Sequence, residues 1–175
     1  MLICGGEKKT GNNNMKIPHK IKLWREIIRK DETKFDQAMD FYSGIIQSWI
    51  DEPYTVQGKL TDILKYHAGW LSFFKSVRAD AALVAAMFEK RSEQIRGQVT
   101  FAMDQNPITN GKPSATALKA LVEADPMVVD AVDKQYQAEG HAKQLMQIVE
   151  TIEAMGYQLN NVSNIVAAGE AEYVL

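Results

Sequence analysis

"LTDILKYHAGWLSFFKSVRADAALVAAMFEKRSEQIRGQVTFA", residues 60–102, holds no proline, and none occurs between Pro53 and Pro107. Leu60, Leu64, His67, Leu71, Phe74, Ala81, Ala85, Phe88, Ile95, Val99 and Ala102 follow a three-four alternation through it, broken at Arg78 and Ser92. That spacing predicts one apolar helix face sustained for about six heptads. At ~1.5 Å per residue, such a helix is a rod of roughly 65 Å, too long for the interior of one small globule. It must pack along a partner of similar length.

The partner follows in the chain. "DQNPITNGKP", residues 104–113, is a proline-, asparagine- and glycine-containing connector. Ser114 is placed to cap a short helix, "ATALKALVEA", and Asp125-Pro126 supplies a second cap with proline at the first helical position. Beyond it, Val129, Val132, Tyr136, Leu145, Val149, Ile152, Leu159 and Val166 predict a second apolar stripe. Gly140 and Gly156 each weaken that helix by about 1 kcal/mol relative to alanine, so a kink is expected near Gly156. The expected fold is therefore all-α: a long antiparallel, coiled-coil-like hairpin over residues 58–172, with its connector at 104–113. No segment carries a strand pattern, and no internal repeat is visible.

Two shorter helices are expected before it, within residues 16–52. In "HKIKLWREIIRK", residues 19–30, Ile21, Trp24, Ile27 and Ile28 share a face, with Lys20, Lys22, Arg25, Arg29 and Lys30 around the remainder. Asp31 or Thr33 can start the next, where Phe35, Ala38, Met39, Tyr42, Ile45, Ile46 and Trp49 form a stripe ending before Pro53. Residues 1–15, with "GGEKKTGNNN" ahead of Met15, read as a flexible extension outside the fold. Lys9-Thr10 lacks the glycine spacing of a phosphate-binding loop. The aromatics Trp49, Trp70, Phe73, Phe74, Phe88, Tyr136 and Tyr157 exceed what one two-helix seam covers. The N-terminal helices, further subunits or both can bury them, and a ring-forming homo-oligomer is the expectation.

With 46% hydrophobic residues, the 175-residue chain can bury a core. Its formal net charge of -2 argues against a wholly basic nucleic-acid binder. The charge is nevertheless polarised. Residues 1–30 carry eight cations against two carboxylates, whereas residues 126–175 carry two against seven. The single cysteine, Cys4, fits a reducing, cytoplasmic setting, and no apolar run suits a membrane span or an export signal.

Nothing in the sequence forms a catalytic or metal-ligating set. His19, His67 and His141 have no cysteine or second histidine at ligand spacing. His67 lies on the predicted seam and reads as a packed, hydrogen-bonded histidine, His141 as a surface residue. Glu150 and Glu153 share a helix face that reads as solvated. A non-enzyme without cofactor or metal is expected.

Charge and aromatic placement point elsewhere. "FEKRSEQIRGQVTFAM", residues 88–103, sets Lys90, Arg91 and Arg96 ahead of Phe101, with Gln94 and Gln98 between and Gly97 leaving room for close approach. On pattern alone this is also a solvated face paired to Glu89 and Glu93. Single-stranded nucleic acid, however, is held by spaced cations and exposed rings on which bases stack. The basic helix around Trp24 suits DNA, a membrane surface or an acidic partner equally well.

This stretch, with the later "QLMQIVETIEAMGYQLNNVSNIVAAGEAEY", resembles the phage recombination mediator family of the UvsY kind over about residues 58–172. Ile95, Arg96, Gly97, Gln98, Val99, Thr100 and Phe101 match that family's basic-then-aromatic segment. Its closing pattern is echoed by Ile152, Met155, Tyr157, Leu159, Asn160 and Val162. Gln98 replaces a second cation, Ala102 a second aromatic, and Asn160 a lysine. The resemblance implies a protein of DNA recombination and repair acting in the infected host's cytoplasm. It would bind single-stranded DNA and help a RecA-like recombinase displace single-stranded DNA-binding protein. The DNA-binding candidates are Lys90, Arg91, Arg96, Gln98, Phe101, Lys20, Lys22 and Arg25. The competing expectation is a structural or adaptor protein, of virion, scaffold or chaperone kind, using the same helices for assembly alone.

Overall fold

A computed structural model describes residues 23–51, 59–105 and 113–168. Every regular element among them is helical: α1 (Trp24–Lys30), a 3-10 turn (Glu32–Lys34), α2 (Phe35–Asp51), α3 (Leu60–Gln105), α4 (Ala115–Glu123) and α5 (Pro126–Ala167). No described helix is long and apolar enough to cross a membrane. The expectations for residues 1–15, Ile21 and the connector tip at 106–112 lie outside the described residues.

Local capping follows the sequence. The Ala117 N–H donates to Ser114 Oγ at 3.2 Å, and the Met127 N–H donates to Asp125 Oδ1 at 2.8 Å, with Pro126 where no N–H is needed. Asp31 accepts from the Thr33 N–H at the 3-10 turn.

α3 packs along α5, and the chain directions are opposed. His67 meets Ile152, Ser92 meets Gln135, and Val99 clusters with Val128. On α5, the seam runs through Val128, Ala131, Gln135, Ala138, Ala142, Leu145, Val149, Ile152, Gly156 and Leu159, an unbroken three-four alternation. This corrects the stripe read from sequence. Val129 and Tyr136 are 45% and 65% exposed, and Val166 is exposed too. The physical reason is that α5 turns small residues inward, where two helices approach closely. A reading weighted toward large side chains therefore slips by one position before Leu145.

α3 shows the same kind of shift. Its buried residues include Ile63, Trp70, Val77 and Val84, while Leu60, Leu64 and Leu71 are only half-buried and Ala102 is exposed. Arg78 is exposed beside the seam and does not interrupt it. Ser92 is fully buried within it, its hydroxyl 2.6 Å from Gln135 Oε1 and 2.8 Å from the Glu89 carbonyl. The step from Val84 to Phe88 to Ser92 is two successive fours, which locally shifts the face presented to α5.

No kink is needed at Gly156. α5 is continuous there, and a Cβ on Gly156 would stand 2.7 Å from His67 Cε1. The glycine makes room for the imidazole, whose Nε2 donates to the Ile152 carbonyl at 2.8 Å.

α2 runs opposite to α3 across its middle. Phe35 packs on Phe88, Tyr42 reaches Asp80, and Trp49 meets Phe74 with centroids 5.3 Å apart. Ser43 Oγ lies 2.7 Å from His141 Nε2 on α5, and His141 Nδ1 lies 2.8 Å from the Gln137 carbonyl. The N-terminal helices thus cover part of the aromatic excess within one chain: Trp70, Phe73, Phe74 and Phe88 share one core with Trp24, Phe35 and Tyr42, and Trp49 packs against it, whereas Tyr136 and Tyr157 stay exposed on α5.

Asp80 fixes α1 in that arrangement. The Trp24 and Arg25 N–H groups donate to its two carboxylate oxygens at 2.8 and 3.4 Å, and the Tyr42 hydroxyl donates to Oδ2 at 2.7 Å. Leu23, at the N-cap position of α1, offers no side-chain cap, so an acid 56 residues away satisfies the free helix end. Burial first, and then the Asp80 contact, push the Tyr42 phenol above its ordinary range.

Candidate nucleic-acid interface

Past Phe88, α3 leaves the cover of α2 and continues toward α4. Here Val99, Val122 and Val128 form a second, small core, flanked by Ile95, Met103, Leu118 and Val132. Leu118 and Val122 are four apart on α4, so one face of that nine-residue helix closes the end of the α3–α5 pair.

On the outer side of this junction lies an open groove of ≈ 570 Å³ lined by Glu93, Arg96, Gly97, Thr100, Phe101, Asp104 and Leu118. Phe101 is 68% exposed and presents its ring to solvent. Nothing lies within 4 Å of the position a Gly97 Cβ would take, so the groove wall is open there. Thr100 Oγ1 donates to the Arg96 carbonyl at 2.7 Å and is committed to its own helix.

The cations are engaged to different degrees. Arg96 Nε lies 3.1 Å from Glu123 Oε1, and Nη2 lies 3.4 Å from Oε2. Arg91 Nε lies 3.7 Å from Glu32 Oε1. Lys90 and Gln98 are exposed, and Lys90 makes no ion pair among the described residues. The pairing of Arg91 expected with Glu89 or Glu93 on its own helix is instead made across to the 3-10 turn.

Of the residues singled out in the sequence, Arg96 and Phe101 come together in the groove, and Lys90 and Arg91 lie upstream on α3. Arg25 does not join them. It is held at the Asp80 end of α1, its Nε 3.4 Å from Glu26 Oε1, and Asp80 stands 16 residues, roughly 24 Å of helix, from Arg96. Lys20 and Lys22 lie outside the described residues. Sequence reasoning missed Glu123 and Leu118, which reach the groove only because α4 folds back. The signal available for that was the apolar pair Leu118 and Val122 in a helix bounded by caps.

Two other groups singled out in the sequence lie outside the groove. His67 is buried against Ile152 and Gly156, and Glu153 pairs with Lys75 at 2.7 Å. Among the described residues, no group of three or more His, Cys, Asp or Glu is placed to hold a metal ion. Comparison of the chain with protein-family models, with curated proteins and with solved structures finds no match.

Proposed function

We propose that this chain is a recombination mediator that binds single-stranded DNA through the α3–α4 groove and works as a homo-oligomer of long antiparallel hairpins. The observation that carries the reading is the joint lining of one open groove by Arg96, Gly97 and Phe101: a cation, a gap and an exposed ring. A guanidinium engages a phosphate through two parallel hydrogen bonds, and an aromatic face stacks on any base, so the pair suits a strand of any sequence. Lys90 and Arg91 extend the positive side chains along α3.

One such groove is a weak site, since Glu93 and Asp104 also line it. Repetition around a ring raises the effective concentration of every further contact once one is made, which turns weak protomers into a strong oligomer. Such a protein holds a strand for exchange between single-stranded DNA-binding protein and a RecA-like recombinase without chemistry of its own. The acidic C-terminal region, residues 126–175, suits a cationic protein surface.

Fluorescence anisotropy with labelled oligo-dT and with duplex DNA, across a salt series, tests the reading. Preference for the single strand, with affinity falling steeply as salt rises, is expected. Phe101→Ala, at an exposed ring, weakens binding by about 1–3 kcal/mol per stacked base while leaving the fold intact. Arg96→Ala weakens binding and flattens the salt dependence. Absent or salt-independent binding assigns the chain to the structural or adaptor class instead.

A further inference from the structure

The Arg96 guanidinium is already occupied, and its occupant has the shape of the proposed ligand. Glu123 presents two oxygens to one edge of the guanidinium, Oε1 at 3.1 Å from Nε and Oε2 at 3.4 Å from Nη2. Only Nη2 donates a hydrogen bond, to Oε2, while Nε is buried and meets Oε1 as an ion pair without a hydrogen bond; a phosphodiester oxygen takes the place of Oε2 at Nη2. The Arg96 and Glu123 side chains are 39% and 44% exposed, so a phosphate approaching from solvent can reach the guanidinium while the carboxylate is released to water.

Glu123 is also the last residue of α4, where the helix C-terminus disfavours a carboxylate. Its pairing with Arg96 offsets that disadvantage. α4 itself is held on the molecule chiefly by Leu118 and Val122. Glu123 therefore sits at the end of a short helix with a shallow footing, facing the one arginine of the groove.

Resting on the single-stranded DNA reading above, we propose that Glu123 is an intramolecular stand-in for a phosphodiester and that α4 gates the groove. A strand phosphate gains Arg96 only by displacing the Glu123 carboxylate. Each protomer thus exchanges one anion for another, which keeps the affinity of a single chain low and leaves tight binding to the oligomer.

The test is oligo-dT anisotropy on the full chain in about 50 mM salt, comparing wild type with Glu123→Gln, Arg96→Ala, their double variant and Glu93→Gln. Glu93 lines the same groove without an ion pair among the described residues, so its variant removes an equal charge and leaves the gate. Glu123→Gln is expected to tighten binding about two- to fivefold, the span of an exposed ion pair, and to lose that gain in the Arg96→Ala background. Equal tightening by Glu93→Gln, or a gain that persists without Arg96, would reduce the effect to local charge and overturn the gate. So would an unchanged affinity in Glu123→Gln when wild type binds. Binding by Glu123→Gln alone supports the gate while removing DNA binding from the unaltered chain, and no binding by either overturns both proposals.

Discussion

Around Phe74 and Leu145, residues from α1, α2, α3 and α5 close over one aromatic-rich core, whereas around Val99 only α3, α4 and α5 meet, over three buried valines. The same two long helices run through both regions. What differs is the depth of cover, and with it the stabilisation each side chain supplies, about 1.5–3 kcal/mol for a large apolar group fully removed from water. In the thickly covered middle Asp80 accepts from three donors, and farther along the seam His67 donates to a carbonyl. The thinly covered end carries the open groove, the exposed Phe101 and a short helix seated through Leu118 and Val122. Binding surfaces are drawn from such low-stability parts of a fold.

The contrast is broken most directly by truncating one core residue on each side. Phe74→Ala removes a fully buried ring touching Trp49, Trp70 and Phe73, and is expected to cost about 3–5 kcal/mol. Val122→Ala at the α4 end is expected to cost only about 1–2 kcal/mol and to raise amide exchange in α4 alone. Urea unfolding and hydrogen exchange of the two variants measure this. Equal costs, or global exchange in Val122→Ala, would mean that both ends unfold as one unit.

A second intervention separates α1 from the middle it is tied to. Asp80→Ala leaves the Tyr42 hydroxyl and the first N–H groups of α1 without their acceptor, an expected loss of about 2–4 kcal/mol. Because α1 has no side-chain cap of its own, its amides should lose protection first, before those of α3 and α5. Unfolding of α1 no earlier than the rest would show that packing of Trp24 and Ile28 holds it without the carboxylate.

These features were unevenly legible in the sequence. The all-helical class, the caps at Ser114 and Asp125, and the buried face of α2 follow from local pattern, since each rests on residues within a few turns of one another. The seam of α5 was misread before Leu145 because Ala131, Gln135, Ala138 and Ala142 face α3 without adding the hydrophobicity that a large side chain would. Asp80 carries no mark in the sequence that sets it apart from the other acids of α3. Its role depends on donors 38 and 56 residues away, which no local spacing reports. The candidate groove was half visible: Arg96 and Phe101 are five apart on one helix, but Glu123 arrives through the return of α4.

The smallest expected effect tests whether the seam's close approach is as specific as its long-range contacts suggest. On propensity alone Gly156→Ala favours the helix by about 1 kcal/mol, since glycine costs that much in a helix interior. Against it stands the His67 ring, 2.7 Å from the new methyl at Cε1 and 3.0 Å at Nε2. The imidazole can yield only by weakening its bond to the Ile152 carbonyl, and overpacking of this kind costs about 1–3 kcal/mol. The balance is a net loss of about 0–2 kcal/mol, and adding His67→Ala to Gly156→Ala removes the clash, so the propensity gain should then emerge. A double-mutant cycle on thermal unfolding measures that coupling. Additive single effects would mean that α5 shifts along α3 to admit the methyl, and the register between the two long helices would then be held by the aromatic middle alone.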